Sequence, residues 1–299
     1  MLQVDNDPKR LKTVKVNKGL VKRLKIGFLT GVLKGRSFEE VVEWASKTGF
    51  EALEVSADPK GLVRPDEVLS GKAGWVRREL EDHGLIISSL DYYTNILSGG
   101  EKEKRQMQEH FRRVIEAAAQ LDVPVVGALA GVPKSGRKED YVDMVAEFYA
   151  PIADHAEEHG VKIAFEIWYA TVAYNPPTWD MLFSAISSKN IGLNFDPSHL
   201  YWQHIDYLWA VRKYGDRIFH VHAKDTEILY DKLRFSGLLS KGWWRYRVPG
   251  WGEIEWPAFI SALKDVGYDY VLSIEHEDPL MSAETGLIKG LEYLKGVVF

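Results

Sequence analysis

Residues 191–200 read Ile-Gly-Leu-Asn-Phe-Asp-Pro-Ser-His-Leu. The first half reads as a buried strand. Pro197 then ends any ladder, because it has no N–H to donate. That leaves Asp196 and His199 just past the carboxyl end of the strand. In parallel α/β proteins this end is where ligands bind.

The same rhythm recurs on both sides of this stretch. A helical segment closes on a Gly and a short apolar strand follows: Gly49 before 50–55, Gly84 before 85–90, Gly160 before 161–166, Gly215 before 218–222 and Gly267 before 270–275. Gly suits the left-handed position that closes a helix. Strands at 123–127 and 191–195 keep the rhythm without the Gly, and 25–29 supplies the first, which makes eight. Helices are expected at about 37–47, 65–82, 101–121, 138–158, 178–187, 205–213, 256–265 and 283–295. Ser37 and Glu40 form a capping box for the first, and Pro151 is expected to kink the fourth. Strands and helices in strict alternation predict an α/β fold, a single-domain (β/α)8 TIM barrel over 25–299. The alternative is a doubly wound open sheet, which lacks its usual Gly-rich phosphate loop here. One connection is long: 226–246, after the seventh strand, carries Tyr230, Phe235, Trp243, Trp244 and Tyr246 and reads as a lid or a contact surface.

The bulk properties narrow the function. The chain has 299 residues, a net charge of −5 and no cysteine. Disulfides, thiolate metal ligands and cysteine nucleophiles are excluded. The charge argues against nucleic acid as a partner. No run is apolar enough to span a membrane, so no membrane partner is expected. Residues 1–24 carry several lysines and arginines but no apolar segment follows them, so they read as an exposed basic N-terminal arm and not a signal peptide. A cytoplasmic enzyme is expected.

Strand parity then selects side chains, because alternate residues face opposite sides. With Ile163, Phe165, Leu193, Phe195, Phe219, Val221, Leu272 and Ile274 facing the helices, four strands in succession end on an inward ligand type: Glu166, Asp196, His222 and Glu275. Converging carboxylates would repel one another unless a cation held them. A single divalent metal ion bound by Glu166, Asp196, His222 and Glu275 is therefore expected. Three oxygen ligands and one imidazole favour Mn, Co or Mg, with Zn open. His220 lies one layer deeper and reads as a hydrogen-bonded core residue. Trp168, Tyr169, Trp202 and Trp251 follow strand ends, where they could stack on the apolar face of a sugar or simply pack.

These residues resemble the sugar isomerase/epimerase superfamily with the xylose isomerase-like barrel, which includes tagatose and psicose epimerases, inositol-catabolic enzymes and, more distantly, endonuclease IV. The resemblance covers about 25–295. It rests on Phe165-Glu166, Asp196-Pro197-Ser198-His199, His220-Val221-His222-Ala223-Lys224-Asp225, Arg247-Val248-Pro249-Gly250-Trp251-Gly252 and Ser273-Ile274-Glu275. It implies that Glu166, Asp196, His222 and Glu275 bind one metal, that Glu166 and Glu275 are the catalytic acid/base pair, and that His199 and Arg247 contact substrate oxygens. Arg247 has a second reading, an ion pair with Asp225. Endonuclease IV takes extra zinc ligands from an Asp-x-His where this chain has Trp244-Arg245-Tyr246, and that departure favours one metal.

The expected activity is metal-dependent isomerisation or epimerisation of a small-molecule carbohydrate, with proton abstraction beside a carbonyl and an enediolate intermediate. A metal-dependent lyase or dehydratase on a keto-sugar or keto-inositol would use the same intermediate and stands as the alternative. An endonuclease-like metallohydrolase would need more metals and a basic face. The chain could also form a homo-oligomer.

Overall fold

In the computed structural model, which describes residues 22–299, ten strands alternate with eleven helices. The strands are β1 (Lys25–Leu29), β2 (Ala52–Ser56), β3 (Ile86–Tyr92), β4 (Val125–Ala128), β5 (Lys162–Glu166), β6 (Ile191–Phe195), β7 (Ile218–Ala223), β8 (Asp225–Ile228), β9 (Trp244–Arg247) and β10 (Val271–Ile274). All but β8 and β9 close into one parallel barrel in the order β1-β10-β7-β6-β5-β4-β3-β2. The helices are α1 (Phe38–Thr48), α2 (Pro65–Glu67), α3 (Ala73–Asp82), α4 (Glu101–Gln120), α5 (Val142–Glu158), α6 (Pro176–Ala185), α7 (Pro197–Tyr201), α8 (Tyr207–Tyr214), α9 (Tyr230–Ser236), α10 (Trp256–Asp265) and α11 (Ala283–Lys295). The expected (β/α)8 barrel is the observed fold. Residues 1–21 of the expected basic arm lie outside the described residues.

Local chemistry explains the larger elements. Ser37 Oγ accepts from the Glu40 N–H and the Glu40 carboxylate accepts from the Ser37 N–H, so the capping box opens α1 as expected. Val41, Val42 and Ala45 then bury one face of that helix. In the strands, Leu53, Val55, Ile163, Phe165, Leu193, Phe195, Val221, Leu272 and Ile274 are buried in the layer between barrel and helices. Phe195, for example, stacks on Phe259 of α10 with ring centroids 5.9 Å apart. The alternate residues face the axis, and parity therefore decides what reaches the mouth.

Four expectations change in detail. The helix expected over 65–82 is interrupted by a π-type turn at Val68–Lys72, where Gly71 has φ 118°, a conformation closed to other residues. Gly215 has φ −55° and closes nothing by handedness. It is small because a Cβ there would lie 2.4 Å from that of Val266. Phe219, expected to face the helices, packs instead with Val125 and Ala164 on the inner side of the barrel, beside a register shift at which Asn194 pairs with His220. The 226–246 connection is not an open loop: β8 and β9 pair as an antiparallel hairpin, with Thr226 opposite Tyr246 and Ile228 opposite Trp244, and α9 lies between them.

Candidate metal centre

Asp196 shows how the backbone builds the site. It follows β6 directly and is the N-cap of α7, whose first residue is Pro197. Its Oδ1 accepts from the Ser198 N–H at 2.9 Å. The cap thus fixes the side chain and leaves Oδ2 aimed into the barrel mouth. Glu166 is the last residue of β5, His222 lies in β7, and Glu275 follows β10. Each of these four side chains offers one ligand atom, and the four atoms lie within 4.8 Å of one another.

Two of those atoms, His222 Nδ1 and Asp196 Oδ2, are buried without a hydrogen bond among the described residues. Their neighbours are close but badly directed: Glu275 Oε2 is 2.9 Å from His222 Nδ1, and Lys224 Nζ is 3.1 Å from Asp196 Oδ2. Buried polar atoms are rarely left without a partner. Two orphaned donor atoms facing two further carboxylates suit a divalent cation, and the donor set of three carboxylates and one imidazole suits it chemically.

The imidazole of His222 is aimed by residues beneath it. Its Nε2 lies 2.8 Å from Glu54 Oε1, which turns Nδ1 toward the mouth. Glu54 is itself held by the hydroxyls of Tyr93 and Ser273. Burial alone would raise the Glu54 carboxyl, but His222 and His220 outweigh it and bring it down to about 2. Asn194 bridges the two histidines, its amide 2.8 Å from His222 Nε2 and 3.1 Å from His220 Nδ1. His220 is fully buried and its Nε2 reaches Ser88 Oγ, so it sits in the core network as expected. Burial drops it to about 4, which keeps it neutral.

Lys224 was not singled out in the sequence, yet it is central. Its Nζ donates to Glu275 Oε2 at 2.7 Å and to Glu277 Oε2 at 3.0 Å, and it lies 3.3 Å from His199 Nε2. Burial would lower the ammonium, but Asp196, Glu275 and Glu277 more than offset that and hold it charged. Glu275 in turn is kept well below the usual carboxylate range: burial raises it, and Lys224 with His222 overcomes that. Burial and the facing Glu275 push Glu166 the other way, to about 8. The strand period could have flagged Lys224, since His220, His222 and Lys224 share one face of β7 and its extension. The same rule applied to β2 would have flagged Glu54.

The mouth itself is a pocket of about 340 Å³ whose lining includes Tyr93, Glu166, Trp168, Tyr169, Lys224, Tyr246 and Glu275. That volume is at the small end for ligand pockets. The expected substrate residues separate here. Trp168 lines the pocket. His199 is fully buried behind it, with Nδ1 2.9 Å from the Tyr246 hydroxyl and Nε2 3.4 Å from Asp196 Oδ2 and 3.7 Å from Glu166 Oε1. Arg247 does not line the pocket. It is paired with Glu227 at 2.5 Å and Asp278 at 2.7 Å. The alternative pairing with Asp225 is not formed either, because Asp225 accepts from the N–H groups of Thr226, Gly250, Ile254 and the Trp256 ring. Trp202 stacks on Trp244 at 4.1 Å and backs the pocket wall, while Trp251 is exposed near Arg247.

A profile described as xylose isomerase-like TIM barrel matches residues 42–297. Among curated relatives, YfiH of Bacillus subtilis is 29% identical over 92% of this chain and 99% of its own length. The inosose isomerase of Bacillus velezensis is 27% identical over 81% of this chain and 84% of its own. The inosose dehydratase of Clostridium perfringens is 32% identical over 47% of this chain and 49% of its own. Among solved structures, that of an IolI protein with a bound zinc atom superposes with a TM-score of 0.73 at 21% identity, covering 92% of this chain and 98% of that one. Among the described residues no helix is long and apolar enough to cross a membrane.

Proposed function

The chain belongs to the xylose isomerase-like TIM barrel family, and we propose that it is a metal-dependent isomerase or epimerase acting on a small polyhydroxylated ketone, a sugar or an inositol derivative. The observation that carries this is the set of four ligand atoms from four successive strand ends, two of them buried without a hydrogen bond. Glu166, Asp196, His222 and Glu275 would hold one divalent cation. When bound, such a cation polarises a substrate carbonyl and acidifies the C–H beside it. Relatives named inosose isomerase and the zinc-bound IolI structure support both the substrate class and the cation.

The chain's own residues do the rest. Glu166 and Glu275 line the pocket from strands separated by β6 and β7. One takes the proton from the carbon beside the carbonyl, and the other returns a proton to the opposite face, which inverts that carbon. Return to the neighbouring carbon instead exchanges aldose and ketose. Trp168 and Tyr169 offer ring faces to the C–H side of the substrate, and Lys224 offers N–H donors to its oxygens. His199 holds Tyr246 and stands behind the ligands, so it acts on substrate through them.

One observation favours a second reading. The Lys224 ammonium beside Glu275 could hand a proton to a departing hydroxyl, which is what a dehydratase needs, and one relative carries that name. Incubating the metal-loaded chain with a panel of ketoses, aldoses and keto-inositols separates the readings. An isomeric product supports epimerisation or isomerisation, and a product lighter by one water supports the dehydratase. Equal turnover after chelation would sink both.

A further inference from the structure

A second cluster of metal-binding side chains lies outside the barrel, between α4 and α5. Glu116 is near the carboxyl end of α4, His155 is in the last turn of α5, and His159 caps that helix. The ends of α4 and α5 lead into the starts of β4 and β5, so this cluster sits at the opposite end of the barrel from the mouth. We propose that Glu116, His155 and His159 bind a divalent transition metal ion of the zinc, nickel or copper class.

The geometry is that of a chelate. His155 and His159 are four apart on one helix, which places both imidazoles on one face, with ring centroids 4.3 Å apart. His159 Nδ1 donates to the His155 carbonyl at 2.9 Å, which fixes the tautomer and leaves the Nε2 lone pair free. His155 Nε2 is buried and makes no hydrogen bond among the described residues, although Glu116 Oε1 is only 3.3 Å away. A nitrogen and a carboxylate oxygen that face each other without bonding are placed to share a cation. One ligand atom from each of the three residues lies within 4.8 Å of the others, close enough for side-chain rotation to reach metal–ligand distances of about 2.0–2.2 Å.

The surroundings add to this. Both helices end here, so the partial negative charge of two helix termini favours a cation. Glu158 Oε2 lies 3.9 Å from His155 Nδ1 and adds negative charge on the other side of the ring. The three ligands are only partly buried, which leaves an entry path and room for water on the ion. Two imidazoles and one carboxylate prefer zinc, nickel or copper, whereas the barrel mouth, with three carboxylates, prefers harder ions. The two sites therefore differ in metal preference.

The test uses the full chain, stripped with a chelator and titrated with Zn²⁺ by calorimetry. In a variant with the mouth disabled, Asp196→Asn with His222→Gln, one equivalent of Zn²⁺ should still bind, and adding His155→Gln and His159→Gln should abolish it. Bound Cu²⁺ should show two imidazole nitrogens in its electron paramagnetic resonance spectrum, and one after His159→Gln. In the otherwise unaltered chain, Glu116→Gln should weaken the second equivalent while the mouth equivalent is retained. No binding to the mouth-disabled chain, provided its circular dichroism shows it folded, would overturn the proposal. So would Zn²⁺ binding, or a copper spectrum, that survives loss of both histidines.

Discussion

Asp196 divides its two oxygens between folding and chemistry, one capping α7 and one facing the mouth. The stop at Pro197 was legible in the sequence, whereas the cap that takes one oxygen and aims the other came only with the structure. Lys224 reads as solvated, as a lysine beyond a strand end does, although the strand period puts it on the same face as His220 and His222. Its burial follows from the three carboxylates around it. Removing it leaves buried negative charge without a partner, so Lys224→Met should lower metal-free stability by about 3 kcal/mol. A divalent cation should then raise the melting temperature more than it does in the unaltered chain, since the ammonium no longer repels it. An unchanged melting temperature in chelator would remove Lys224 from the account. Glu166 gives a pH prediction. Its folded carboxyl is raised to about 8 without metal, so at pH 7 the site holds a proton that a cation must displace. Burial would lower the His222 imidazole, but Glu54 and Glu275 hold it well above its usual range. Cation binding should therefore displace a proton from both residues, and affinity should rise with pH through about 8. By the same sign, the metal-free fold holds a proton that the unfolded chain lacks between the unfolded value and about 8, so Glu166 makes it less stable as pH rises through that window. Calorimetry in two buffers of different ionisation enthalpy reads the proton, and none released at pH 7 would contradict the value.

At the scale of elements, helix and strand positions could be read because Gly punctuation and a period of two coincide, and parity brought Glu166, Asp196, His222 and Glu275 to one place. The hairpin of β8 and β9 was missed because its strands are short and rich in charged and aromatic residues. Their pairing comes from tertiary context: Glu227 binds Arg245 and Arg247, and the Asp225 carboxylate gathers four donors. The hairpin carries Tyr246 into the pocket and Trp244 onto Trp202. Shortening the α9 excursion between its strands should therefore raise KM and lower kcat while the fold survives. Steady-state kinetics with gel filtration checks this. Loss of assembly with unchanged kinetics would make the excursion, with its exposed Phe235 and Leu239, a contact surface instead of a wall.

At the scale of the whole molecule, the barrel converts eight strand directions into one mouth. The strand ends of β5 to β7 and β10 supply the four candidate ligand atoms, and the network beneath them draws on both halves of the barrel: Glu54 of β2 reaches under His222, with Asn194 of β6 and Ser273 of β10 beside it. The sequence pointed to the first half of this division more clearly than the second, since a strand-end carboxylate announces itself and a mid-barrel hydrogen bond does not. The central claim is that two glutamates move a proton at a carbon beside a carbonyl. Turnover of an accepted ketose or keto-inositol in heavy water tests it most directly. The account predicts one solvent deuterium at the inverted carbon, with kcat lowered about 10²- to 10⁴-fold in Glu166→Gln and Glu275→Gln at saturating metal. Complete turnover with no deuterium incorporated would contradict it.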